Sequence, residues 1–326
     1  MAPIISLLFS AIAFGTIIIF GALGEILAEK SGSLNLGVPG IMYLGGIAGL
    51  AATFFYERTA APLPWVCVVL ALLSAFAAAA FGGLIFSFLT ITLRANQNVA
   101  GLTLTIFGSG VANFFGGSLN TLAGGVGQIS VPITSAAFRQ TLPLPTSLGS
   151  VGRLLFSHGF LVYTALLIAV VLQVLLHRTR VGLNLRAVGE NPATADAAGI
   201  RVNRYKYLSV TLGAGISGLG GLFYVMDYIK GTWANDGTIE RLGWLAVALV
   251  IFTTWKPVNA IWGAYLFGFL YWMHYIIPGL NRSSQSIFKM IPYVVTILVL
   301  VVISLRKKRE NQAPTALGLS YFREER

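Results

Sequence analysis

Residues that could carry out chemistry are sparse in this chain of 326 residues. It contains three His, one Cys and 11 acidic residues, and no cluster of His or Cys offers a set of metal ligands. No Gly-Lys dipeptide occurs, which excludes a phosphate-binding loop of the G-x-x-x-x-G-K-[ST] type. We therefore predict no catalytic residue, no metal site, no cofactor and no enzymatic activity.

A second group of residues is suited to hydrogen bonding with a solute. Uncharged polar side chains are few within the long apolar stretches of the sequence. A polar, uncharged lining suits a neutral, hydrogen-bonding solute better than an ion. The residues that we predict to line a path for such a solute are Asn35, Asn98, Thr103, Thr105 and Asn113.

The sharpest local pattern is Ala-Val-Gly-Glu-Asn-Pro-Ala-Thr-Ala-Asp-Ala-Ala-Gly-Ile at 187–200, within the loop 178–206. Asn191 is a good N-cap, Pro192 suits the first helical position, and Gly199 suits a left-handed stop. The pattern predicts a two-turn helix, which is not stable alone in water and needs a docking surface. We expect a groove on a partner to accept it; the alternative is a short connector on the membrane surface.

The elements that position these residues are membrane helices. The chain is 56% hydrophobic and only 10% charged, whereas about a quarter of the residues of a soluble domain are charged. Most uncharged stretches reach the roughly 20 residues that a membrane helix needs, and they lack the alternation of barrel strands. We predict an all-α polytopic membrane protein with about nine transmembrane helices, near 3–23, 34–54, 64–93, 98–118, 158–177, 207–229, 242–255, 258–277 and 289–305.

The seventh of these stretches leaves an alternative open, because 242–255 is short for a full crossing. It would then be a tilted, half-length or re-entrant piece held by protein neighbours. No stretch of the sequence resembles a separate soluble domain. We therefore treat 1–326 as a single membrane domain of the cell (inner) membrane.

The distribution of Lys and Arg predicts the orientation. The loop 178–206 and the basic tail 306–326 hold many of the 22 basic residues, so both are placed in the cytoplasm. With nine crossings the N-terminus is then external. The net charge of +11 follows from topology and from the lipid bilayer, and no nucleic-acid partner is needed. The segment 119–157 is external and is either a landing surface for an extracytoplasmic partner or an ordinary connecting loop.

Several segments together resemble the permease subunits of ABC importers in the branched-chain amino acid, ribose and nucleoside group. The loop text A-V-G-E-N-P-x-x-A-D-x-A-G-I is the most specific of them. The others are Gly24-Glu25 with Glu29, Gly32 and Leu34-Asn35-Leu36-Gly37; Leu93-Arg94-Ala95-Asn96; and Ala316-Leu317-Gly318 with Tyr321-Phe322-Arg323. The resemblance covers nearly the whole chain and is closest to the simple sugar and nucleoside permeases. One departure is Pro39 before Gly40, where that family usually has an acidic residue.

The resemblance implies a fold like that of type II ABC importer permeases. It also implies a second permease as dimer partner, separate ABC ATPase subunits and an extracytoplasmic solute-binding lipoprotein. The loop would contact the ATPase, with Asn191, Pro192 and Gly199 fixing its shape and with Glu190 and Asp196 available for polar contacts. The residues expected in this coupling contact are Gly189, Glu190, Asn191, Pro192, Ala193, Asp196, Ala198 and Gly199.

Two other classes of protein compete with this interpretation. A secondary transporter driven by protons or sodium would normally need a charged residue deep in a span. A membrane-embedded enzyme would need a cluster of nucleophile, base or metal ligands. The sequence shows neither. The substrate remains open among nucleosides, simple sugars and other small hydrogen-bonding solutes such as a vitamin.

Overall fold

The structure is a computed structural model that describes residues 2–122, 129–141, 152, 154, 156–277, 281–306 and 312–322. These residues are mostly helical, without a β-strand; two isolated bridges join Ser130 to Thr232 and Thr141 to Gly159. The helices are α1 (Ala2–Glu29), α2 (Val38–Glu57), α3 (Pro64–Ser87), α4 (Gln97–Leu122), α5 (Pro132–Phe138), α6 (Phe160–Arg178), α7 (Arg180–Glu190), α8 (Pro192–Ala197), α9 (Val202–Phe223), α10 (Thr238–Phe252), α11 (Pro257–Trp272) and α12 (Arg282–Arg306). Single π-helical turns extend α3 to Thr92 and α9 to Tyr228.

The prediction of an all-α membrane protein is confirmed, and six helices are long and apolar enough to cross a membrane. They are Ile4–Glu29, Val38–Glu57, Pro64–Thr92, Gln97–Leu119, Phe160–Arg178 and Val202–Tyr228. The remaining three predicted spans coincide with α10, α11 and α12. The first two have 15 and 16 residues, and α12 contains a shorter apolar stretch, Gln285–Val299. Fifteen residues of helix extend about 22 Å, short of the roughly 30 Å hydrocarbon core.

The helix ends gather at two ends of the bundle. The loop end contains the turns 30–37 and 253–256, helices α7 and α8, and the tail segment 312–322, which contact one another. The opposite end contains α5 and the turns 58–63 and 229–237; there Thr134 donates to Glu57 and Val131 donates to the Gly231 carbonyl. Within the predicted external segment 119–157, residues 123–128, 142–151, 153 and 155 lie outside the described residues.

Glycines allow the central helices α1, α2 and α9 to approach closely. A Cβ on Gly24 would collide with the carbonyl oxygen of Gly213 and with the Ser217 hydroxyl, and one on Gly45 would collide with Gly218. Ser217 Oγ also donates to the Gly21 carbonyl at 3.2 Å. Close backbone contact of this kind replaces the hydrophobic effect as the main attraction between membrane helices.

The start of α2 lies in this central layer. Pro39 occupies the first turn of α2, where its missing N–H costs nothing, so it does not break the helix. A Cβ on Gly243 of α10 would lie 2.5 Å from Pro39 Cα, which shows how tightly the two helices pack there. Pro39 therefore takes part in the packing of α2 against α10.

Candidate functional site

The two-turn helix predicted in the loop forms as α8. Asn191 Oδ1 accepts the backbone N–H of Thr194 at 3.0 Å, and Pro192 follows in the first turn. Gly199 ends the helix with a φ of +82°, and the Ile200 N–H donates to the Ala195 carbonyl at 3.0 Å. Both ends of a helix of only six residues are thus fixed by its own sequence.

Helix α8 has one buried and one exposed face. Ala195 packs against Val188 and Val202, next to Tyr321 of the tail segment. The exposed residues of α8 and its C-terminal end are small: Ala193, Thr194, Ala197, Ala198 and Gly199. Such a face leaves the helix backbone accessible to a groove on another protein.

The tail segment 312–322 holds α7 and α8 in place. The N–H of Ala316 donates to the Gly189 carbonyl at 3.0 Å, and the N–H of Gly318 donates to the Gly32 carbonyl at 3.1 Å. Gly189 must be glycine because a Cβ would collide with the carbonyl of Lys30. The tail therefore lies against the loop and the turn 30–37 at the same time.

Side chains of the tail bind the two acidic residues of the predicted coupling contact. Thr315 Oγ1 donates to Glu190 Oε2, and the Tyr321 hydroxyl donates to Asp196 Oδ2, each at 2.8 Å. Both carboxylates therefore already have partners within the chain. These contacts orient the loop, and the sequence analysis, which placed 306–326 in the cytoplasm only as a basic tail, did not predict them.

The tail also reaches the starts of α4 and α9. Gln97 accepts the Leu34 N–H at 2.7 Å and donates to the Leu319 carbonyl at 3.4 Å, while Lys206 Nζ lies 3.5 Å from the same carbonyl. Arg94 stacks over the Phe322 ring at 4.6 Å. Movement of α8 would therefore reach α1, α2, α4 and α9 through one shared assembly.

Two buried carboxylates at the end of α1 fix the neighbouring turns. The first predicted span ended at residue 23, but the helix continues to Glu29 and buries Glu25 and Glu29 to 1% and 2% exposure. Glu25 Oε1 accepts the Asn35 N–H at 3.0 Å, and Glu29 accepts the indole N–H of Trp255. The first span is therefore longer than predicted, and its last turns contain two buried carboxylates.

This arrangement predicts a specific stability effect. The change Trp255→Phe removes the donor to a buried Glu29 oxygen, which should cost about 1–3 kcal/mol. We expect the thermal unfolding midpoint of the detergent-purified chain to fall by several degrees. The matched control is Trp262→Phe, because Trp262 is 73% exposed on α11 and should tolerate the change. Equal midpoints for the two variants would contradict a stabilising role of this hydrogen bond.

The five residues predicted to line a solute path differ in their exposure. Asn35 and Thr105 are buried and bind backbone: Asn35 Oδ1 accepts the Gly37 N–H at 2.9 Å, and Thr105 Oγ1 donates to the Leu36 carbonyl at 3.0 Å. Asn98 and Thr103 are exposed on α4. Asn113 is half-buried, and its Oδ1 has no hydrogen-bond partner in the part of the chain that the structure describes.

The exposed face of α4 differs from those of α3 and α6. Exposed residues along α3 and along the membrane part of α6 are apolar, such as Leu73, Phe81 and Leu167. The exposed face of α4 instead mixes large apolar side chains with Thr103, Gly110 and Gly117, and a Cβ on either glycine would meet no atom within 4 Å. Small and polar residues are typical of surfaces that meet protein rather than lipid.

The long apolar helices and their packing define a multi-pass helical membrane protein. The chain belongs to the family described as "Branched-chain amino acid transport system / permease component", whose model matches residues 7–300. No solved structure matches it. The resemblance inferred from the loop text and the N-terminal segment is thereby confirmed.

Curated relatives of this chain are ABC transporter permeases named for sugars and nucleosides. It is 32% identical over 98% of both chains to a putative glucose ABC transporter permease protein, TsgC13, of Haloferax volcanii. It is 31% identical to the nucleoside permease NupC of Lactococcus lactis, over 95% of this chain and 94% of the relative. It is 30% identical to the guanosine permease NupQ of Bacillus subtilis, over 97% and 96%. A partial match, 25% identical over 48% of this chain and 41% of the relative, is the nucleoside permease NupB of the same Lactococcus.

Proposed function

We propose that this chain is the membrane-spanning permease subunit of an ATP-driven importer that takes up a small neutral solute, a nucleoside first and a simple sugar second. The printed names of the relatives support both substrate classes. The observation that carries the proposal is α8, a short helix with a small-residue face, fixed at both ends and held by the tail. ATP is hydrolysed on separate ABC ATPase subunits.

In this proposal the loop end faces the cytoplasm. The chain crosses the membrane nine times, with α10 and α11 as two short crossings packed within the bundle and with an external N-terminus. Six basic residues in 178–206 support this orientation, as do Lys30, Arg94 and Lys256 at the same end. The residues 1–326 form one domain, and 306–326 is a cytoplasmic tail that docks through 312–322.

The coupling step follows from the contacts at the loop end. Closure of the ATPases displaces α8, whose exposed Ala193, Ala198 and Gly199 lie in a groove on the ATPase surface. Asp196 and Glu190 transmit the displacement to the tail segment through Tyr321 and Thr315. The tail and Gly189 pass it to the turn 30–37 and so to α1 and α2.

A second permease subunit packs near the exposed face of α4. The solute path runs along this face, between the two permeases. The occurrence of two nucleoside permeases, NupB and NupC, in one organism among the relatives supports a pair of different permeases. Asn98 and Thr103 would face the path directly, with Asn113 at its margin. Asn35 and Thr105 shape the adjoining backbone. An extracytoplasmic lipoprotein delivers the solute at the opposite end.

The α4 assignment makes a prediction for uptake. The change Thr103→Ala removes an exposed hydroxyl from the path, so we expect the solute concentration for half-maximal uptake to rise severalfold without loss of assembly. The matched control is Leu73→Ala on α3, where a side chain that is 65% exposed faces lipid. Equal kinetics for both variants would place the path elsewhere.

One observation favours the rival class, an ion-coupled secondary transporter. Glu25 and Glu29 are buried carboxylates inside a span, as such a transporter would need. Their oxygens, however, accept hydrogen bonds from Asn35 and Trp255, which assigns them to the turns of the loop end.

Uptake of labelled nucleosides and sugars into proteoliposomes distinguishes the two classes. The importer predicts uptake that requires the ATPase, ATP and the binding protein, and that is insensitive to uncouplers. Uptake by the chain alone along a proton or sodium gradient would contradict it. Binding of the same solutes to the external binding protein identifies the substrate.

A further inference from the structure

A basic pocket of about 500 Å³ lies at the loop end, between the ends of α1, α6 and α7 and the turn 253–256. Of the described residues, three cationic side chains on three different segments line it, together with one carboxylate. These residues are Lys30, Arg186, Lys256 and Glu190, with His177 at the rim. Among the described lining residues, cationic groups therefore outnumber carboxylates even when His177 is neutral.

Cationic groups are crowded in this pocket, and one of them has a donor that is unsatisfied within the described part of the chain. Burial lowers the pKa of Lys30, Glu190 opposes that effect, and the neighbouring Arg186 and Lys256 add repulsion. Glu190 also accepts a hydrogen bond from the Thr315 hydroxyl of the tail segment. Arg186 Nε is buried and has no hydrogen-bond partner among the described residues. A bound anion would supply the missing acceptor to Arg186.

Two apolar stripes lead from the membrane to this pocket. On α6, the exposed residues Leu167, Val171 and Val174 follow helical spacing and end at His177. On α11, Trp262 and Leu266 lie along the exposed face of the helix whose N-cap is Lys256. Helices α6 and α11 contact each other. The cationic groups thus lie where acyl chains resting on these two helices would place a headgroup.

We propose that this pocket binds the phosphate headgroup of an anionic phospholipid, with its acyl chains against α6 and α11. Continuity with the two apolar stripes favours a lipid over an acidic segment of the ATPase, because the exposed face of α8 is a separate surface. The bound headgroup would tie the turn 253–256 to α7. The proposal requires a membrane protein but neither the proposed substrate nor the coupling step.

The test is lipid retention by the purified full-length chain, measured by native mass spectrometry in detergent without ATP or ATPase. The probes are phosphatidylglycerol, phosphatidylcholine of the same chain length, and inorganic phosphate as competitor. Each basic residue contributes about fivefold to binding of an anionic headgroup, so Arg186→Gln/Lys256→Gln should weaken phosphatidylglycerol binding about 25-fold. Lys256→Gln alone, about fivefold weaker, serves if the double variant does not fold.

The matched control is Arg204→Gln, which removes an exposed charge at the same end but outside this pocket. We expect it to retain phosphatidylglycerol as the unchanged chain does, and we expect phosphatidylcholine to bind more weakly throughout. Equal retention by pocket and control variants would overturn the proposal, as would equal binding of phosphatidylcholine. Displacement by millimolar inorganic phosphate would identify a free-anion site and overturn the lipid assignment. Transport is not part of the readout, so failure here leaves the proposed function unaffected.

Discussion

The change Gly199→Val is expected to reduce ATP-driven uptake at least tenfold while membrane insertion is unchanged. Gly199 has a φ of +82°, and a Cβ there would meet no atom within 4 Å, so the effect is conformational and not steric. A left-handed conformation costs a residue with a Cβ about 1–2 kcal/mol, and a β-branched one more. The capping hydrogen bond from the Ile200 N–H to the Ala195 carbonyl depends on this conformation. Solute uptake and the amount of inserted protein are measured side by side.

The matched control for this prediction is Gly199→Asn. Asn tolerates the left-handed conformation far better than Val, so this variant should keep most of the uptake. If both variants are equally impaired, the loss of uptake is caused by the volume of the added side chain and not by the positive φ of residue 199. Unchanged uptake in Gly199→Val would show that the shape of α8 has no part in coupling.

Removal of the tail from residue 314 onward is expected to abolish uptake and solute-stimulated ATP hydrolysis. The truncation deletes Thr315 and Tyr321, the partners of Glu190 and Asp196, and the backbone contacts to Gly32 and Gly189. Without them, α8 keeps only its packing against Val188 of α7 and Val202 of α9. We expect basal ATP hydrolysis by the assembled complex to persist, because the exposed face of α8 remains. Uptake and hydrolysis are measured on the same proteoliposomes.

A shorter truncation provides the control. Ending the chain after Phe322 leaves every contact of the tail segment described above and removes only four residues. This variant should transport normally. Normal uptake by the longer truncation would show that the docked tail is dispensable, and loss in both would assign the effect to residues 323–326. The single change Tyr321→Phe, which deletes one hydroxyl, should weaken coupling partially.

Local sequence signals predicted α8 correctly because its ends are determined by neighbouring residues. Asn191, Pro192 and Gly199 act within one or two turns of themselves, so their effect does not depend on the rest of the fold. The apolar runs likewise predicted the positions of the long helices. Their ends were less certain: α10 begins at Thr238 and includes Glu240 and Arg241, which a search for uncharged runs excludes.

Features that depend on distant contacts were not predictable in the same way. The tail segment docks largely through backbone atoms of Ala316, Gly318 and Leu319, which leave no periodic pattern in the sequence. Glu25 and Glu29 end an uncharged run, and their burial depends on donors 10 and 226 residues away. Thr105 similarly points at the Leu36 carbonyl, which no spacing along the chain indicates.

Site-specific cross-linking tests most directly whether α8 contacts the ATPase. A cysteine at Ala198, exposed on the small-residue face, should cross-link to the ATPase in the assembled complex, and the yield should change when ATP is added. The native Cys67 is buried and should not compete. A cysteine at Ala61, exposed at the opposite end, should give no product. Cross-linking from Ala61 but not from Ala198 would contradict the account, because α8 would then face away from the ATPase.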